Sequence, residues 1–247
     1  MIIDIHTHLG TSIFGYKQTS DDLLLLMDEL GIDKSVVIPV KPIDYHFSPQ
    51  NDYIAKEVKK HPDRFIGFCR VDPRLKDNAL IELKRCIEEL GFKGLFLHPW
   101  EETFQINSDF VFPLIEYMKE KNLPVMISGG HPRVADAWQI SDLAKQFPEV
   151  TMIITSGGQI NISGMGLYES EIMLTENKNT IMETSGIYRE DFIEDIIKKL
   201  GKEKVVFGSN SPEYELRLEI LRGKWAHIND EEKNALLWEN TERILNL

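Results

Sequence analysis

The sequence contains few of the features that mark secreted, membrane or metal-cluster proteins. Only two of its 247 residues are cysteines, Cys69 and Cys86, and their separation rules out a Cys-x-x-Cys metal or redox motif. We therefore expect two reduced thiols in the core of a cytosolic protein. The sequence also contains no run of about 18 apolar residues and no signal-peptide pattern, which predicts a cytoplasmic protein outside the membrane.

Positive charge is also in deficit. The chain has 28 Lys and Arg against 40 Asp and Glu, so its formal net charge is −12. Nucleic-acid-binding proteins present clustered Lys and Arg, so no nucleic-acid partner is expected. An acidic surface also disfavours binding to anionic membranes. The expected partner is a small-molecule substrate or ligand, and a homodimer is left open.

Hydrophobic patterning predicts the fold class. Short β-rich runs alternate with amphipathic segments along the chain. Strands are predicted at 1–7, 35–39, 65–71, 93–98, 124–128, 150–156, 180–184 and 204–208. Helices are predicted at 23–30, 49–60, 78–90, 109–121, 140–147, 189–200, 213–221 and 230–245, most of them ending at Gly or before Pro.

Eight strands alternating with helices over this length predict an α/β protein, a single-domain (β/α)8 TIM barrel covering residues 1–247. A doubly wound open sheet is the alternative, because the same alternation builds it. The absence of a Gly-x-Gly-x-x-Gly loop after the first strand favours the barrel.

The segment Asp4-Ile5-His6-Thr7-His8 is the most informative motif. Side chains two residues apart on a strand point to the same face, so His6 and His8 are predicted to project side by side. Two neutral imidazoles in that arrangement can bind one divalent metal ion. The alternative is a polar strand with two partly exposed histidines.

Active sites of such barrels lie at the carboxyl ends of the strands, so the residues there are the candidate site residues. His98 ends the fourth strand and is the best candidate for a third metal ligand, with a second-shell histidine as the alternative. Glu183 is a candidate catalytic carboxylate or a brace inside the barrel. Candidate substrate-binding residues at other strand ends are Arg70, Trp100, Ser128 and His131. Arginine suits bidentate binding of a carboxylate, although an ordinary ion pair is the alternative for Arg70.

Several further segments that carry a family resemblance follow the Asp-x-His-x-His motif along the chain. They are Asp63-Arg64-Phe65-Ile66-Gly67, Gly91-Phe92-Lys93-Gly94-Leu95 with His98-Pro99, Leu123-Pro124-Val125-Met126-Ile127, and Val206-Phe207-Gly208-Ser209. With them, the chain resembles the amidohydrolase superfamily. More narrowly, it is similar to the amidohydrolase-2 branch, which contains metal-dependent hydrolases related to aminocarboxymuconate semialdehyde decarboxylase.

The resemblance implies metal-dependent hydrolysis or non-oxidative decarboxylation of a small carboxylated substrate, with one divalent ion, most simply zinc. It also exposes three departures. Members usually carry a histidine at the ends of strands 5 and 6 and an aspartate after strand 8, where this chain has Ser128, Ser156 and Asn210. Together with Glu183, Ser156 and Asn210 are the predicted catalytic positions. Because asparagine cannot accept a proton as aspartate does, a non-catalytic relative that binds a small ligand or a protein partner is the alternative.

Overall fold

The computed structural model describes residues 1–159, 164–187 and 189–247. Within them the strands are β1 (Ile3–Thr11), β2 (Lys17–Gln18), β3 (Lys34–Pro39), β4 (Phe65–Gly67), β5 (Cys69–Arg70), β6 (Leu95–Leu97), β7 (Val125–Ile127), β8 (Met152–Ile154), β9 (Thr180–Glu183) and β10 (Val205–Val206). All of them pair in parallel except β2, which pairs antiparallel with the end of β1.

The strands form a ring rather than an open sheet. Two runs of hydrogen-bonded strands exist, β1-β3-β4 and β5 to β10 in order. β4 and β5 are consecutive parts of one strand, joined at Phe68, whose N–H donates to Val37 O at 3.1 Å. At the other junction the Ile5 N–H donates to Phe207 O at 3.0 Å, and the Asn210 N–H donates to His6 O at 2.7 Å. The predicted barrel is confirmed, and the open sheet is not the fold.

Helices cover the outside of the ring. They are α1 (Ser20–Leu30), α2 (Phe47–Lys60), α3 (Asp77–Glu88), α4 (Pro99–Glu102), α5 (Phe112–Lys121), α6 (Ala137–Gln146), α7 (Gly164–Glu176), α8 (Glu190–Leu200), α9 (Leu216–Trp225), α10 (Asp230–Asn234) and α11 (Asn240–Leu245), with a π-helical turn at Ala235–Glu239. α7 is not among the helices predicted from the sequence. Its apolar residues do not form one stripe, so the pattern typical of an amphipathic helix is absent.

Local signals explain where the first helix begins and ends. The Thr19 side chain accepts a hydrogen bond from the Asp22 N–H, and the Asp22 carboxylate accepts one from the Thr19 N–H. This reciprocal capping box satisfies two donors that have no partner within the helix. Gly31 ends α1 in the left-handed region at φ 71°, which a residue without Cβ adopts at no steric cost.

Alternation along the strands separates two cores. One set of side chains fills the ring interior and includes Ile5, Val36, Phe68 and Phe96. The other set packs between the strands and the helices, and both free cysteines are buried in it, as expected. Among the described residues, no helix is long and apolar enough to cross a membrane.

The interior packing leaves no room at Gly94, and this generates a prediction. A Cβ at this position would lie 2.3 Å from Phe68 Cζ. We expect Gly94→Ala to lower the free energy of unfolding by roughly 1–3 kcal/mol, measured by urea denaturation, because the ring must shift within the filled barrel.

The matched control is Gly223→Ala in α9, where the nearest atom to the new Cβ is Leu237 Cδ2 at 3.3 Å. A leucine side-chain end can move, and alanine favours a helix over glycine by about 1 kcal/mol. Equal losses in the two variants would contradict the packing of Phe68 against Gly94.

Candidate metal and substrate site

The two histidines of β1 lie side by side and are buried, with exposed fractions of 2% for His6 and 5% for His8. Their Nε2 atoms are 3.1 Å apart. Two nitrogens bound at about 2.1 Å to one tetrahedral zinc ion lie roughly 3.4 Å apart. The pair is therefore spaced to bind a single ion, and the alternative of partly exposed histidines is wrong.

The other ring nitrogen of each histidine faces an oxygen. His8 Nδ1 lies 3.4 Å from Pro39 O, and His6 Nδ1 lies 3.4 Å from Glu183 Oε2. The contact with Pro39 O places the proton of His8 on Nδ1 and leaves its Nε2 lone pair for a metal, whereas His6 Nδ1 makes no hydrogen bond in the described chain. Burial, with a smaller contribution from the Arg70 charge, lowers the pKa of His6 to about 3, so the ring is neutral. Burial also lowers the pKa of His8 well below its usual value.

Glu183 lies behind His6 rather than on an open surface. Its side chain is fully buried and accepts hydrogen bonds from the Ser185 N–H at 2.6 Å and the Ser156 N–H at 3.2 Å. Burial raises the pKa of this carboxyl to about 7. A Cβ at position 208 would lie 2.3 Å from Glu183 Oε1, so only glycine lets the last strand approach so closely. Glu183 can orient His6, but it does not line the cavity described below.

Asn210 follows β10 and lies next to the histidine pair. Its Nδ2 donates to Glu213 Oε2 at 3.2 Å, and its backbone N–H donates to His6 O at 2.7 Å. Asn210 adopts φ 54°, a left-handed conformation that asparagine tolerates better than most residues.

His98 is held in the opposite tautomer to His8. Its Nδ1 accepts a hydrogen bond from the Glu101 N–H at 3.2 Å, and its Nε2 lies 3.3 Å from Ser128 Oγ. Because burial lowers the pKa of His98 well below its usual value, the ring is neutral and its proton lies on Nε2. In this arrangement His98 donates toward Ser128 and offers no lone pair at Nε2. Its ligation of a metal stays a prediction.

Arg70 is not available to a substrate in this structure. It is 1% exposed, and its Nη2 donates to both Glu101 and Glu102, at 2.9 Å for Glu102 Oε1. Lys41 Nζ lies 3.6 Å from the same Glu102 oxygen. The four side chains Lys41, Arg70, Glu101 and Glu102 form a buried, charge-balanced cluster, which we call the buried quartet. Contrary to the expectation from sequence, Arg70 is not part of the cavity lining.

A cavity of about 500 Å³ opens at the carboxyl ends of the strands. It brings together six of the predicted residues, His98, Trp100, Ser128, His131, Ser156 and Asn210. The Trp100 ring stacks on His131 with centroids 5.4 Å apart. The lining also contains residues outside the predicted site set, namely Phe14, Tyr16, Glu101, Gly129, Thr155, Gln159, Glu213 and Tyr214. Their position in loops just after strands was the available signal.

The residues around the histidine pair fit a divalent ion only in part. Two imidazole nitrogens and the oxygen of Asn210 form a neutral donor set. Among residues 1–159, 164–187 and 189–247, no three His, Cys, Asp or Glu side chains are grouped so that they could hold a metal ion. Such a site supports weaker metal binding than one with a carboxylate, because neutral ligands leave the ion's charge uncompensated.

The family model Amidohydro_2, described as Amidohydrolase, matches residues 3–247. The chain belongs to this amidohydrolase family. The resemblance inferred from the motifs is thereby confirmed.

Curated relatives of this chain include decarboxylases and a hydratase. The γ-resorcylate decarboxylase of Polaromonas sp. (strain JS666) is 20% identical, covering 92% of this chain and 87% of that one. The 2-keto-4-carboxy-3-hexenedioate hydratase of Sphingobium sp. is 23% identical, covering 93% and 85%.

Solved structures share the fold of this chain. The 5-carboxyvanillate decarboxylase of Sphingomonas paucimobilis superimposes with a TM-score of 0.80 at 16% identity, covering 100% of this chain and 99% of that one. The dihydroxybenzoic acid decarboxylase of Polaromonas sp. JS666, with bound manganese and the inhibitor 2-nitroresorcinol, has a TM-score of 0.78 at 18% identity, covering 100% and 97%.

The buried quartet generates a stability prediction. Removing one partner of a buried ion pair leaves a charge without compensation, which destabilises a protein by about 3–5 kcal/mol. We expect Arg70→Met to lower the free energy of unfolding by that amount in urea denaturation, because Glu101 and Glu102 lose their shared partner.

Arg217→Met is the control, since Arg217 is about half exposed and its ion pairs with Glu29 and Glu215 lie at the surface. Exposed pairs contribute at most about 1 kcal/mol, so a small change is expected. If both variants lost the same stability, the quartet would not be the buried electrostatic centre described here.

Proposed function

We propose that this protein is a metal-dependent lyase that decarboxylates or hydrates a small carboxylated substrate. The observation that carries the proposal is the His6–His8 pair, buried, neutral and spaced for one ion at the carboxyl end of β1. The decarboxylases and the hydratase among its relatives favour these reactions over hydrolysis.

His6 and His8 would hold the metal through Nε2, with Asn210 Oδ1 as the neighbouring oxygen donor. The bound ion would supply Lewis-acid polarisation of a substrate oxygen. Manganese is bound in one structural neighbour, whereas zinc is the ion expected from the sequence motif. Imidazole suits zinc and an amide oxygen suits manganese, so both ions enter the test below.

The remaining residues have separate tasks in this proposal. His98 presents an N–H at Nε2, and the Ser128 and Ser156 hydroxyls line the same cavity, so together they bind and orient substrate oxygens. Glu183 acts as a positioning residue, because it contacts His6 Nδ1 and is excluded from the cavity. Trp100 stacked on His131 forms a wall against which a planar substrate can lie.

A second function is favoured by one observation. Among the described residues no third His, Cys, Asp or Glu completes a metal site with His6 and His8. A relative that kept the cavity of about 500 Å³ but lost the metal would bind a small ligand or a protein partner without turnover.

Metal content separates the two functions. Protein purified without chelators should contain about one zinc or manganese ion per chain by inductively coupled plasma mass spectrometry, and the metal should be lost in His6→Ala/His8→Ala because both nitrogen ligands are removed. The control His227→Ala, at a side chain 93% exposed, should keep the metal.

Thermal denaturation should show that the double variant is folded. Metal-loaded protein should then be mixed with 2,6-dihydroxybenzoate and 5-carboxyvanillate, and loss of the carboxylate followed by ¹³C NMR. Metal at background level in the unmodified protein, with no stoichiometric uptake on titration, would contradict the lyase and favour the non-catalytic function.

The neutral residues Ser128 and Asn210 generate a prediction about zinc affinity. In Ser128→His/Asn210→Asp an imidazole and a carboxylate take the positions of two neutral side chains that line the cavity. Because an anionic ligand compensates the charge of the ion, we expect zinc affinity in isothermal titration calorimetry to rise at least about tenfold. The control Ser108→His/Asn122→Asp makes the same changes away from the cavity. If the first variant gained no affinity, these strand ends would not face the histidine pair.

A further inference from the structure

The similarity of this chain to decarboxylases does not predict the charge distribution of the cavity. The charged side chains in its lining are Glu101 and Glu213, and no lysine or arginine of the described chain lines it. Glu101 is paired with Arg70 inside the buried quartet. Glu213 has no ion pair among the described residues. Its side chain accepts a hydrogen bond from the Asn210 amide at 3.2 Å. One carboxylate at the cavity is therefore left without a cationic partner.

Aromatic rings line the same cavity as this carboxylate. Tyr16 and Tyr214 both line the cavity, and burial raises the pKa of each phenol to about 12, with Glu213 contributing to both shifts. Both phenols are thus neutral near pH 7. Phe14 and Trp100 line the same opening and are each 59% exposed. A carboxylate among aromatic rings is the environment in which proteins bind organic ammonium groups.

A second, independent feature lies in the lining. Gln159 is 4% exposed, and its Nε2 has no hydrogen-bond partner in the described parts of the chain. A buried amide donor without a partner is costly, so a ligand oxygen that accepts from it would restore the missing bond. The His98 N–H and the Ser128 hydroxyl are further neutral donors on the cavity.

We propose that the cavity selects small molecules that carry a cationic nitrogen together with an oxygen group that accepts hydrogen bonds, a carboxylate in the simplest case. Glu213 and the aromatic rings bind the cation, and Gln159 donates to the oxygen group. The proposal rests on the proposed function only in taking that oxygen group to be the reacting carboxylate. A ligand with a carboxylate alone meets neutral donors but also the charge of Glu213, and it binds less tightly.

The test is isothermal titration calorimetry on the full chain in buffer containing a chelator, so that binding is measured without metal or turnover. The probes are 4-(aminomethyl)benzoate, 4-methylbenzylamine and 4-methylbenzoate, which share one ring and carry both charges, the ammonium alone, and the carboxylate alone. We expect both ammonium probes to bind at least about tenfold more tightly than 4-methylbenzoate, because a charged hydrogen bond contributes about that factor.

Variants assign the recognition to residues. Glu213→Gln should weaken both ammonium probes about tenfold and leave 4-methylbenzoate unchanged or tighter, because the cation loses its partner. Gln159→Leu should weaken 4-(aminomethyl)benzoate but not 4-methylbenzylamine. Glu120→Gln, the same chemical change on the exposed side of α5, should alter no affinity.

Three results would overturn the proposal: 4-methylbenzoate binding as tightly as the ammonium probes, Glu213→Gln weakening all three probes equally, or no binding of either ammonium probe at millimolar concentration. Failure of the proposed lyase reaction gives a different pattern of results. Absence of metal together with Glu213-dependent ammonium binding would leave the selectivity standing and remove only the reaction.

Discussion

The junction between the first and last strands is the constraint on which the site depends. The Asn210 N–H donates to His6 O, and the Ile5 N–H donates to Phe207 O, so these backbone bonds close the ring. Closure brings the residue after the last strand against the two histidines of the first. Without it, His6 and Asn210, which are 204 positions apart in sequence, would not be held together, because closing a long loop has an entropic cost.

Around this junction the buried charges are compensated by one another rather than by a ligand. Arg70 is shared by two glutamates, and Glu183 is satisfied by backbone and hydroxyl donors next to His6. Burying a charge is costly unless it is paired, so these groups are fixed within the fold. The cavity is left with neutral donors and with one carboxylate, Glu213, that has no ion pair among the described residues. The ligand selectivity that we propose for the cavity follows from this carboxylate and these neutral donors.

Membership in the amidohydrolase family does not by itself assign a reaction, because one barrel carries many chemistries in its loops. The Nε2 atoms of His6 and His8 are 3.1 Å apart, and His8 Nδ1 lies 3.4 Å from Pro39 O. Ser128, Ser156 and Asn210 place two hydroxyls and an amide on the cavity. The site therefore combines a buried imidazole pair with neutral hydrogen-bonding groups.

The sequence by itself determined the barrel and the histidine pair, because alternation and the spacing of His6 and His8 are local properties that a strand preserves. It missed α7, whose apolar residues follow no stripe. The tertiary structure alone decided that Arg70 is buried against Glu101 and Glu102 and that Glu213 lines the cavity. Those outcomes depend on which loops meet above the ring. Partner choice among charges is set by distance and burial, and neither can be read from positions along the chain.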